Sequence, residues 1–225
     1  MRKQLLKLCR TSSRCLVPLA AVGLAAGCSN APGDTYQLTP DQLAWQPYRA
    51  GQVLRFASGQ TAAIRTYRVL NVEDRLLEGP YSNGLVVIPF LRGKDPDQFQ
   101  QITVTAVRSD SAAASFEALV LAADPSYSST SAPSAPVYAQ ASWGADAYLR
   151  LPIAEVNQGI AFDTLGVYQH TRLLTGLTLG AVTYPQVVAV RRPAGGAGPV
   201  ALYYAEGQGV VAFAESKTGL WYRVP

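Results

Sequence analysis

Val200-Ala-Leu-Tyr-Tyr-Ala-Glu206, Gly207-Gln208-Gly209 and Val210-Val-Ala-Phe-Ala-Glu215 read as two β-prone runs joined by a two-glycine turn. Valine, phenylalanine and tyrosine suit a pleated, half-buried surface, and glycine supplies the positive φ that a tight hairpin turn requires. The stretch also fits the pattern G-x-G-x-x-A. A dinucleotide site, however, needs a helix opening at the third position of a βαβ unit, and Val210–Glu215 is a strand former. The predicted element is a hairpin.

The period of two extends outward from there. Ile102, Val104 and Ala106 alternate with Thr103 and Thr105, and Ala147, Leu149, Leu151 and Ile153 alternate with Tyr148, Arg150 and Pro152. Val182, Tyr184, Val188 and Val190 follow the same habit around Thr183 and Pro185. Each is the pattern of a strand with one face buried. Further strands are predicted at Gln52–Ala57, Ala62–Val72, Leu85–Leu91, Phe116–Ala122, Ile160–Val167, Thr171–Leu179 and Leu220–Val224, separated by glycine- and asparagine-rich turns. Only Pro40–Trp45 and the alanine-rich Ser109–Ser115 read as short helices. With no room for crossover helices, the prediction is all-β: a curved antiparallel meander, either a sandwich or a partly closed barrel. Residues 37–225 form one domain, and the Pro/Ser-rich stretch 124–136 is a long loop inside it. A split there would leave two halves with more edge strand than either could cover.

The 225 residues carry 19 Lys and Arg against 15 Asp and Glu, a formal charge of +4. The excess is local. Arg2, Lys3, Lys7, Arg10 and Arg14 stand together without an acid, ahead of an apolar segment from Cys15 to Ala26. A basic start followed by a short apolar run and small residues is a secretory signal layout, and the run falls short of the roughly 20 residues a spanning helix needs. Without residues 1–27, 14 basic residues face 15 acidic ones, so no phosphate-binding excess remains and nucleic acid is excluded as a partner.

Leu24-Ala25-Ala26-Gly27-Cys28 resembles the lipobox of bacterial envelope lipoproteins. The resemblance implies cleavage between Gly27 and Cys28 and fatty acylation of Cys28; the polar, small-residue stretch Ser29–Tyr36 reads as a short tether, so that residues 28–36 lead from the anchor into the domain. Ser29 after the cysteine implies the outer rather than the inner membrane. Attachment through two or more chains is stable, at about 0.8 kcal/mol per buried CH₂. Leu179-Gly180, Tyr184, Val187-Val188 and Tyr203 to Val211 also resemble the closing hairpins of uncharacterised envelope lipoproteins of the TapB-like and lipoprotein-carrier-like type. That resemblance implies a curved antiparallel sheet and no particular activity.

Chemistry-bearing residues are few. His170 is the only histidine, no G-x-S-x-G elbow accompanies it, and Asp95-Pro96-Asp97 lacks the glycine and glutamate of a calcium loop. No catalytic residue, metal ligand or cofactor is therefore assigned. The aromatic residues are the remaining signal, since tyrosine and tryptophan present an apolar face with a polar tip. Trp143, Tyr148, Tyr203 and Trp221 occupy alternate-face or loop-flanking positions and are the candidates for an outward contact surface. Two readings stay open. In the first, a lipid-anchored, non-catalytic protein holds an apolar or glycan ligand on its curved sheet, in a cavity of about 300–1,000 Å³. In the second, a solid-cored envelope lipoprotein acts structurally or through a protein partner of unknown identity.

Overall fold

The computed structural model describes residues 33–79, 97–112, 114–123, 137–143, 148–159, 163–165, 170–192 and 199–225. The signal segment 1–27, Cys28, the strand predicted at Leu85–Leu91 and the loop 124–136 lie outside the described residues.

The chain enters through β1 (Thr35–Tyr36) and a single turn of helix, α1 (Pro40–Leu43). Thr39 and Gln42 form a reciprocal capping box, with Pro40 at the first helical position, which explains why so short a helix is stable. The meander follows as β2 (Val53–Ser58), β3 (Ile64–Glu78), β4 (Gln98–Arg108), β5 (Phe116–Ala122), β6 (Tyr138–Ser142) and β7 (Tyr148–Arg150). After α2 (Ile153–Asn157) come β8 (Asp163–Leu165) and β9 (His170–Leu174), then a separate hairpin of β10 (Leu177–Leu179) and β11 (Val182–Tyr184). The last strands are β12 (Val187–Arg191), β13 (Pro199–Ala205), β14 (Gly209–Glu215) and β15 (Gly219–Val224).

The main sheet runs β7-β6-β5-β4-β3-β2-β15-β14-β13-β12-β9-β8. Two meanders are thus joined at one seam, where β15 pairs with β2 from Trp221↔Ser58 to Val224↔Arg55. The sheet is antiparallel and curls into a half-barrel. Register shifts interrupt the β3–β4, β4–β5 and β13–β14 ladders, and such bulges sharpen twist and bend a sheet. The concave side carries the main core: Leu54, Phe56, Tyr67, Val69, Val104, Leu121, Leu202, Tyr204 and Phe213 are all buried. Trp45 and Ile153, from the segments around α1 and α2, close over it, tied together by the Trp45 indole donating to Asn157 Oδ1 at 3.0 Å. On the convex side the β10–β11 hairpin covers Val187, Ala205 and Val211 and makes a second, smaller cluster.

Several boundaries differ from the sequence prediction. The tether expected to extend to Tyr36 ends sooner: the Asp34 amide donates to Asp97 Oδ1 at 2.9 Å, and Thr35–Tyr36 pair in parallel with Gln98–Phe99. Ser109–Ser115 is not a helix, because Ser109 bonds back to the Thr66 carbonyl and turns the chain into β5. The strand predicted through Ile153 stops at Arg150, and Ile153 opens α2.

Candidate functional site

The inner face of β3 carries Arg65, Tyr67 and Val69 in alternation, an arginine on the apolar parity. A buried guanidinium needs a partner. Arg65 finds one 150 residues away, where both Glu215 oxygens accept from it at 2.6 and 2.9 Å. The same guanidinium lies 4.0 Å from the Trp221 ring centroid. Thr218 Oγ1 donates to Glu215 and accepts from the Trp221 indole at 2.8 Å, closing the network. Burial by itself would raise the Glu215 pKa, but the hydrogen bonds from Arg65 and Thr218 and the charges of Arg65 and Arg108 hold it below the usual carboxylate range. Nearby, Arg108 chelates Asp110, whose carboxyl is held low chiefly by that hydrogen bond.

A carboxylate that titrates lower when folded contributes stability above its unfolded pKa, and that stability is lost as pH falls through the folded value. Glu215→Gln is therefore expected to cost about 2 kcal/mol near neutrality and nearly nothing at strongly acidic pH. Urea midpoints of both proteins between pH 7 and pH 2 check this; a cost independent of pH would mean that the charge on Glu215 is immaterial.

Inward from this pair lies an aromatic cluster. Trp143 packs 4.6 Å from Tyr67, 5.2 Å from Phe56, 5.6 Å from Phe116 and 5.7 Å from Phe213, and Phe213 stacks on Trp221 at 6.3 Å. Two of the predicted contact residues are thus inside the molecule, not on its surface. Trp143 is 1% exposed and Trp221 5%, because the side chains of both fall on the core side of the sheet among the other rings. Tyr203 sits on the opposite, convex face, half-buried beside the β10–β11 hairpin, with Arg191 donating to its hydroxyl at 3.4 Å. Tyr148 stands in the edge strand β7. The structure brings Trp143 and Trp221 into one cluster and keeps Tyr203 apart from it. Nε1 of Trp143 is buried and has no hydrogen-bond partner among the described residues.

At the other rim, the Gly207–Gly209 turn adopts the positive φ predicted for it, 67° at Gly207 and 78° at Gly209. Tyr48, from the segment after α1, accepts from the Val210 amide at 2.8 Å, and Tyr204 donates to the Trp45 carbonyl at 2.5 Å. Burial pushes the Tyr48 phenol up to about 12 and that of Tyr204 well above its ordinary value, so both stay protonated. Beside the turn lies a cleft of about 660 Å³, lined among others by Thr183, Tyr184, Glu206, Gln208 and Arg223. Of the four predicted contact residues it includes none.

No family model, curated protein or solved structure matches this chain. The remaining chemistry is sparse. His170, half-buried, pairs with the exposed Asp163 across β8–β9. Among the described residues no group of three or more His, Cys, Asp or Glu side chains is placed to hold a metal, and no described helix is long and apolar enough to cross a membrane. Arg65 and Glu215 escaped the sequence reading, in which Tyr48 and Tyr204 stood only among the aromatic residues at large. Of the two charged residues only Arg65 left a trace, as a charge on the apolar side of an alternating strand.

Proposed function

We propose that this chain is a non-catalytic, lipid-anchored protein of the cell envelope that acts through its surface, as a structural or protein-interaction module. One observation carries the choice over a ligand carrier. The rings that would line a concave binding site, those of Phe56, Tyr67, Trp143 and Phe213, fill it themselves, each at most 5% exposed. Close-packed interiors of this kind leave little free volume for a guest. The basic start, the short apolar run and the sequence around Cys28 support the anchor.

A second reading draws on Trp143. An unpaired buried N–H costs about 1–3 kcal/mol, and an apolar or glycan molecule with an acceptor oxygen, entering among the rings, would satisfy it. Native and intact mass spectrometry of the processed protein from its host separates the two. The expected spectrum shows a chain beginning at Cys28, heavier by its acyl groups, with nothing else bound. A lipid or sugar retained by the folded domain and released on unfolding would overturn the solid-core reading in favour of the carrier.

A further inference from the structure

The β10–β11 hairpin pairs with no other described strand, and the cleft lies against the free edge of β11. Leu179 and Val182 are register partners across the two-residue turn Gly180-Ala181, so they form the hydrogen-bonded pair that closes it. Thr178 and Thr183 come next, as the pair without backbone bonds between them, and their hydroxyls meet at 3.0 Å. The amide and carbonyl of Thr183 therefore point away from β10. Thr183 is exposed, and among the described residues no other group bonds to that amide or carbonyl. Pro185 ends the edge, since it brings no N–H.

One wall of the cleft is β11, through Val182, Thr183 and Tyr184, and no residue of β10 lines it, so the cleft occupies the side on which the Thr183 backbone groups are bare. Opposite stand the Glu206–Gln208 turn and the end of β15 from Arg223 on. The volume, about 660 Å³, falls within the range of binding pockets. Arg223 is half-buried, donates one N–H to the Gln208 carbonyl and has no ion pair among the described residues. Its charge reaches the facing wall: burial raises the Tyr184 phenol, and Arg223 pulls against that. Glu206, the other charge on the cleft, is exposed at the turn and screened by water and salt. Val182, 40% exposed, adds an apolar side chain.

We propose that the cleft binds an extended acidic segment of a partner protein, added as a strand along β11 with a carboxylate on Arg223. An open strand edge offers a donor and an acceptor that another extended backbone matches, a mode of recognition in which main-chain bonds hold the segment and side-chain contacts select it. Arg223 selects for a carboxylate through N–H groups still unspent, and Val182 for an apolar neighbour. The edge is three residues long, which keeps it from pairing indiscriminately and limits the bound segment to a few residues. The inference rests on the protein-interaction side of the proposed function, gives it a surface, and does not depend on the acyl anchor.

The test uses the full chain, labelled for amide NMR, and three acetylated hexapeptides of alternating valine and threonine: one with an internal glutamate and an amidated end, one with a free terminal carboxylate, one with neither. Exchange of the Thr183 amide is expected to slow about tenfold or more when a carboxylate peptide saturates the cleft, and the tighter of the two shows whether a side-chain or a terminal carboxylate is the preferred group. Arg223→Gln is expected to weaken both carboxylate peptides about tenfold, with the neutral peptide unaffected. Carboxylate peptides that bind no better than the neutral one, or that leave the Thr183 amide unprotected in the unsubstituted chain, would overturn the proposal. So would protection of that amide on concentrating the chain alone, which would make a second copy the occupant. Either result leaves the anchor and the solid core standing, whereas a lipid or sugar retained by the domain would remove the solid core without altering the peptide data.

Discussion

Gly209→Ala is expected to destabilise the fold by about 3 kcal/mol, combining the penalty of a left-handed backbone with the overpacking of a filled site. The residue has φ 78°, and a methyl group there would lie 2.5 Å from the Tyr48 hydroxyl and 2.6 Å from Cζ of its ring. Backing away would break the hydrogen bond from the Val210 amide to that hydroxyl, in a place where water cannot replace it. Gly207, two residues earlier in the same turn, has φ 67° but nothing within 4 Å of the added atom. Gly207→Ala should therefore cost only about 1–2 kcal/mol, the backbone share alone. Thermal unfolding resolves the pair, with midpoints lowered by roughly 6–12 °C for Gly209→Ala and about half that or less for Gly207→Ala. Equal losses would show that Tyr48 yields freely and that the turn is not locked to the segment after α1.

Phe213→Ala is expected to cost about 3–5 kcal/mol, as large-to-small changes at fully buried aromatic positions do. Phe213 is fully buried and is the ring shared by most of the cluster, with Phe56 at 5.3 Å, Trp143 at 5.7 Å, Tyr67 at 6.1 Å and Trp221 at 6.3 Å. It also lies under the Arg65 guanidinium. Phe213→Leu keeps most of the volume and should cost roughly half as much. Urea unfolding followed by tryptophan fluorescence checks both. A loss under about 1 kcal/mol for the alanine variant would mean that the concave side is loosely filled, against the dense core on which the proposed function depends.

Strand-forming tendency was legible wherever one partner surface explains the pattern. Phe116–Ala122 is predicted and observed with the same limits, a β-prone run lying between two neighbours of one sheet. Val182 to Val190 was not, although its alternation is as good. Val182–Tyr184 belongs to the hairpin on the convex face, and Val187–Arg191 belongs to the main sheet, with a bend at Pro185-Gln186 between them. Alternation reports that a side chain is covered, not what covers it. The same limit misplaced Trp221. Leu220 and Tyr222 flank it and pack beneath the β10–β11 hairpin on the other face, so three successive apolar residues give no parity to read. The pairings that lock the rims, Arg65 with Glu215 and Tyr48 with Val210, join residues at least 150 positions apart, and nothing local to either partner specifies the other.

The seam between β2 and β15 governs how the molecule comes to be folded. Arg55 and Val224 are register partners in the middle of the sheet, so the two meanders cannot be joined into one sheet until the two extremes of the domain have met. Closing so large a loop before any pairing rewards it makes for slow folding, on the millisecond-to-second scale common for non-local β topologies. During that wait β2 and β15 each present a bare edge, open to the matching strand of another copy. Refolding at high concentration is accordingly a race between sealing one chain and exchanging strands between two.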